Sequence, residues 1–131
     1  MDPAAAAVAT VEKEDGLAVA MFMTLPVSAP TYDRVLQSLE WDVTPPIGEI
    51  VHLAAETPDG IEVCEIWQTR QAAEGFLREV LEPTLRRFVA VESIDYAIYP
   101  LHNLYAPDLD TIERIGTVSL PGVAAGAIFR V

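Results

Sequence analysis

GIEVCEIWQTRQAAEGFLREVLEPTLRRF, residues 60–88, decides the fold, because it reads as a buried strand running into an amphipathic helix with almost no loop between them. Ile61, Val63, Glu65 and Trp67 alternate onto one side of the extended part, and Glu62, Cys64 and Ile66 onto the other. Thr69 is placed to cap the helix that follows. Beyond it Phe76, Leu77, Val80, Leu81, Thr84, Leu85 and Phe88 recur at three- and four-residue spacing, which predicts one sheet-facing stripe. Pro83 has no N–H to give, so a kink near Leu81 to Thr84, or a fresh helix start there, is expected.

Upstream, Thr57-Pro58-Asp59-Gly60 is a hairpin signal that sets residues 49–56 antiparallel to 61–67. LAVAMFMTL, residues 17–25, is apolar on both alternating sets, the pattern of a central strand or of one buried at a subunit contact. Pro26 ends it and Ser28 can cap a helix over 29–40, where Tyr32, Val35, Leu36 and Leu39 form a stripe continuing to Trp41. Val43 to Gly48, with its Pro45-Pro46 pair, is a loop. Downstream, Ser93 to Leu101 supplies a fourth strand. The order strand, helix, strand, strand, helix, strand predicts an α+β, ferredoxin-like (split βαβ) fold: a four-stranded antiparallel sheet with two helices on one face. The other face carries Val51, Leu53, Ala97 and Leu101 and also needs cover, which two copies pairing sheet to sheet as a homodimer would supply.

The totals bound what such a chain does. With 131 residues and 51% apolar content it can build one core, expected over residues 17–106 between a loose leader at 1–16 and an extension at 107–131. That extension has a possible short helix at 108–115 and an apolar end, with Ile128 and Phe129 wanting burial against a partner subunit or over a pocket. A net charge of −12 repels phosphate backbones and anionic lipid, so nucleic acid is not an expected partner. The oily run Leu17 to Val27 falls short of the ~20 residues that cross a bilayer, so no membrane span is expected. A single cysteine, Cys64, builds no disulfide scaffold and points to a reducing cytoplasm.

Several side chains have the chemistry for a site. His52, centred in the second strand, points away from the side that carries Val51 and Leu53; on the helix-facing side it would lie near Trp67 and could take a proton from an acidic phenol or enol. The bland alternative is a buried histidine bonded to a carbonyl or to a glutamate across the hairpin. Glu65 shares the Trp67 side; buried, it could serve as a base, or it could pair with Arg70, Arg78 or Arg86. Tyr32 and Tyr96 can donate phenolic hydrogen bonds, and His102, just past the last strand, could stand at a pocket mouth. Phe76 and Met21 either line a pocket or fill it. The two histidines have no carboxylate at metal-ligand spacing, and Gly116, Gly122 and Gly126 do not form a phosphate loop; neither metal nor nucleotide cofactor is expected.

The element order over residues 17–105, the passage VCEIWQTRQAAEGFLREVLEPTLRRF and the close YPLHNLY resemble the dimeric α+β barrel proteins, in particular the group like antibiotic-biosynthesis monooxygenases. The resemblance implies a small aromatic or polyketide-like molecule bound between sheet and helices, and cofactor-independent oxygenation or cyclisation there; the superfamily also includes proteins with no known activity. It implies that Trp67 matches a cavity-lining tryptophan of the third strand and that Tyr32 matches an inward-pointing phenol of the first helix. The haem-degrading branch pairs that tryptophan with a first-strand asparagine and a second-helix histidine, and this chain has neither.

Overall fold

The computed structural model describes residues 17–41 and 43–116, so the expected leader at 1–16 and the end of the chain beyond 116, with Ile128 and Phe129, lie outside the described residues. Four strands, β1 (Val19–Leu25), β2 (Glu49–Thr57), β3 (Gly60–Trp67) and β4 (Tyr96–Pro100), form one sheet in the order β2-β3-β1-β4. Every neighbouring pair is antiparallel, which is the ferredoxin-like arrangement.

The hairpin between β2 and β3 forms where the Thr-Pro-Asp-Gly signal lies. Thr57 pairs with Gly60 across a two-residue loop, and the Thr57 hydroxyl accepts from the Asp59 N–H at 3.2 Å and donates to the Gly60 carbonyl at 3.0 Å. Gly60 has φ +134°, and a Cβ there would come within 2.3 Å of the Leu25 carbonyl oxygen, so the position admits only glycine.

Helix α1 (Ala29–Leu39) starts on Ser28, whose hydroxyl accepts from the Thr31 N–H at 3.3 Å, and closes on Glu40 in a left-handed conformation. The second helical stretch begins on the Thr69 cap as α2 (Arg70–Phe76), widens into a π-helical turn (Leu77–Leu81) and ends as α3 (Glu82–Leu85). A fresh helix start thus falls at Glu82, within the stretch expected from Pro83, and the widened turn lies just before it. Pro83 cannot bond the Glu79 carbonyl and its ring would press on it; the chain yields in the preceding turn, where the Glu82 N–H reaches back to the Leu77 carbonyl. A wider turn brings residues four apart nearly into line, so Ala73, Leu77, Leu81 and Leu85 are buried while Val80, expected in the stripe, is exposed.

These helices cover one face of the sheet. Val19, Met21, Met23 and Leu25 of β1 and Ile61, Val63 and Trp67 of β3 pack beneath Val35, Leu77 and Leu85. On the opposite face Phe22, Leu53 and Tyr99 are exposed, the rings of Phe22 and Tyr99 lying 6.2 Å apart. The described part of the extension forms α4 (Leu109–Ile115), capped by Asp108, and none of that helix's residues is buried. No helix among the described residues is long and apolar enough to cross a membrane.

Candidate functional site

The register places His52 opposite Glu65 and Glu49 opposite Trp67, all on the helix-covered face. Residues three apart on a regular strand face opposite ways. Here the ladder passes from the Glu49–Trp67 pair to the Val51–Ile66 pair, so Ile50 is absorbed in a β-bulge that brings the Glu49 side chain round to the side of His52. Gly48, with φ +94°, brings the preceding loop against α2, where a Cβ would stand 3.0 Å from that of Ala72; its carbonyl accepts from the Gln68 N–H at 2.8 Å and fixes where β2 begins.

Around His52 the side chains form a continuous hydrogen-bonded chain. The Tyr32 hydroxyl, reaching down from α1, lies 2.6 Å from His52 Nε2, and His52 Nδ1 lies 2.7 Å from Glu65 Oε2. The Trp67 indole N–H donates to the other Glu65 oxygen at 3.1 Å. A carboxylate only accepts, so in the neutral imidazole Nδ1 carries the proton, Nε2 is the acceptor, and the Tyr32 O–H donates to it. Burial, then the negative charge of Glu65, pushes the Tyr32 phenol above its ordinary value, so it remains a donor at neutral pH. The Trp41 ring, 4.7 Å from the imidazole, closes over it.

Glu65 therefore pairs with His52 and not with an arginine. Arg70 and Arg78 both meet Glu74, and Arg86 meets Glu82. Glu49 stands beside this chain. Burial pushes its carboxyl up to about 10, with a hydrogen bond to Glu65 and that group's like charge adding to the effect. Two carboxyl groups this close in a dry setting do not both ionise; Glu65 already accepts from two N–H groups, and Glu49 keeps its proton. Glu49 Oε2 is buried without a hydrogen-bond partner.

A cavity of about 20 Å³ lies against Tyr32, Trp41, Glu49, His52, Glu65 and Phe76, room for about one water molecule. Of the residues singled out from sequence, Tyr32, His52, Glu65 and Phe76 meet at this cavity. Trp67 does not line it; it lies buried behind Glu65, its ring 5.3 Å from Phe76. Met21 is enclosed in the core, Tyr96 accepts from Arg78 at 2.9 Å, and His102 is exposed past β4; none of the three reaches the cavity. Glu49 and Trp41 are the additions. Glu49 was hidden because only the bulge turns it inward, and no glycine or proline at position 50 marks that irregularity in the sequence.

Glu49, His52 and Glu65 offer ligand atoms within 4.8 Å of one another, a set that could hold a metal ion. Both nitrogens of His52 are already engaged, so a cation would enter only by breaking the bond to Tyr32 or the one to Glu65.

No protein family and no curated protein matches the chain. Several solved structures are similar to it, among them the following. A conserved protein from Methanosarcina mazei Go1 is 16% identical with a TM-score of 0.47, over 68% of this chain and 97% of that one. A monooxygenase from Streptomyces coelicolor, from the gene ActVA-Orf6 and in complex with nanaomycin D, is 14% identical with a TM-score of 0.46, over 74% and 97%. SnoaB, a cofactor-independent oxygenase from Streptomyces nogalater, is 12% identical with a TM-score of 0.45, over 66% and 93%. At such identity the likeness assigns no residue and no reaction to this chain.

Proposed function

We propose that this protein is a cytoplasmic, homodimeric enzyme that removes a proton from a small aromatic or polyketide-like molecule held between sheet and helices, leading to its cofactor-independent oxygenation or cyclisation. What supports this reading is the Tyr32–His52–Glu65 chain at the wall of a buried cavity. A ligand hydroxyl or acidic C–H passes its proton to the Tyr32 oxygen as the Tyr32 proton moves to Nε2, and Glu65 balances the imidazolium that forms. The anion left behind passes an electron to dioxygen and recombines with the superoxide formed, or attacks a carbonyl carbon of its own chain. Neither course needs a metal or flavin to start, provided the cavity is dry.

Exposed Phe22, Leu53 and Tyr99 support pairing of the uncovered sheet faces in a dimer. The test is turnover of anthrone-type and poly-β-ketone substrates by the parent protein, with loss of turnover in His52→Ala and Tyr32→Phe. A second reading, a non-catalytic small-molecule-binding or structural homodimer, is favoured by one observation: Phe76 and Met23 leave a hollow of only about 20 Å³, and a ring enters only if the walls part. Absence of turnover together with no bound aromatic compound in native mass spectrometry would decide for it.

A further inference from the structure

Glu49 lines the cavity, and its Oε2 is buried there without a hydrogen-bond partner. A buried carboxyl oxygen left so is costly unless something in the cavity completes it. Three further observations point to a cation. Ligand atoms of Glu49, His52 and Glu65 all lie within 4.8 Å of one another. The three side chains stand on two paired strands of one hairpin, and the bulge at Ile50 is what turns Glu49 to the side of the other two. His52 and Glu65 are also held from behind, as outer-shell partners hold metal ligands. The Trp67 indole N–H bonds the Glu65 oxygen that does not face His52, and the Tyr32 hydroxyl bonds Nε2.

We propose that Glu49, His52 and Glu65 form a divalent-cation site that takes zinc, with a water molecule in the cavity as the fourth ligand. An imidazole nitrogen among carboxylate oxygens suits zinc, and two carboxylates with a neutral imidazole cancel its charge, which a buried site requires. The cation enters between His52 Nδ1 and Glu65 Oε2, now 2.7 Å apart, and takes the place of the proton there. Ligand atoms round a four-coordinate zinc stand about 3.3 Å apart, so these two part slightly and Glu49 closes in. The ring proton moves to Nε2, which then donates to the Tyr32 oxygen, and the Glu49 proton leaves to water. The cavity of about 20 Å³ has room for the one water that completes the tetrahedron. Once Nε2 carries a proton it accepts nothing from Tyr32, so the bound cation and the proton relay exclude one another. Spacing along the chain shows no metal motif because the set forms across a hairpin and through a bulge. Binding of the ion does not depend on the reading that the site is catalytic.

The test is calorimetric titration of the metal-stripped full chain with zinc chloride, beside Glu49→Gln, His52→Gln, Glu65→Gln and, as a control at the exposed histidine, His102→Ala. One ion per chain is expected in the parent and in His102→Ala, and each of the other three variants should bind at least about 10²-fold more weakly. In ¹⁵N-labelled His102→Ala, where His52 is the sole histidine, zinc should shift the Nδ1 and Nε2 signals. That readout stands even where a variant of the cluster fails to fold. A parent that binds no zinc below millimolar concentration, or any of the three cluster variants binding like the parent, overturns the proposal. So does loss of binding in His102→Ala, or a His52 spectrum that zinc leaves unchanged.

Discussion

Replacing Glu65 with glutamine separates the chemistry of the relay from its contribution to the fold. In the parent, the carboxylate fixes the proton on His52 Nδ1 and leaves Nε2 to accept from Tyr32. In Glu65→Gln, the amide oxygen still accepts from the Trp67 indole N–H, and the amide NH₂ then faces Nδ1. A donor there forces the proton onto Nε2, which must donate to the Tyr32 oxygen and can no longer receive its proton. Every buried polar group of the relay keeps a partner and a buried charge is removed, so stability should stay within about 1 kcal/mol of the parent. The rate of proton transfer should fall by about 10³–10⁴-fold, the size of loss that a reversed tautomer causes in Ser-His-Asp triads. Two assays read this: turnover of anthrone-type and poly-β-ketone substrates for the rate, and ¹⁵N NMR of labelled histidine for the tautomer. An unchanged nitrogen spectrum, or a variant as fast as the parent, would refute the reasoning. Glu65→Ala behaves differently, since it strands the N–H groups of His52 and Trp67, and urea unfolding should show a loss of about 2–5 kcal/mol.

Other outcomes follow from single features. Glu49 is protonated in the fold up to about pH 10 but ionises near 4.5 once unfolded. Its folded pKa is raised, so the unfolded chain gains from ionisation as pH climbs, and stability declines across that window. Glu49→Gln should flatten the decline, matching the parent near pH 4 and exceeding it at pH 8 in thermal melts. Gly60→Ala should cost roughly 2–4 kcal/mol in urea unfolding, because φ +134° and the Leu25 carbonyl leave no place for a methyl group. Leu53→Glu, on the exposed sheet face, should shift sedimentation from dimer to monomer while thermal melts still show a cooperative fold.

The fold was legible because its signals are local. Alternation in residues 61–67, the turn at 57–60 and the caps at Ser28 and Thr69 each constrain a few neighbouring residues, and the structure follows them. Parity along β2 and β3 was enough to put His52 opposite Glu65 once the helix-covered face was known. The partner of Glu65 was harder, since the nearby arginines offered stronger charges; they lie on the outer side of the helices and bond glutamates one turn away. Trp67 was expected in the cavity wall from the resemblance to proteins whose third-strand tryptophan lines one, but the indole N–H turns towards Glu65 and takes the ring behind the site. Strand irregularity was not legible, and Glu49 was lost with it.

That irregularity acts outward as well. β2 is the outermost strand on its side of the sheet, with one row of backbone N–H and C=O groups unclaimed by any neighbouring strand among the described residues. A straight rim of this kind invites foreign strands to zip along it and leads to open-ended stacking. The surplus residue at Ile50 crooks the rim beside the acid it aims, so another chain finds no continuous ladder to extend. Self-recognition is thereby steered from the sheet's border to its flat side, where the proposed pairing closes after two copies.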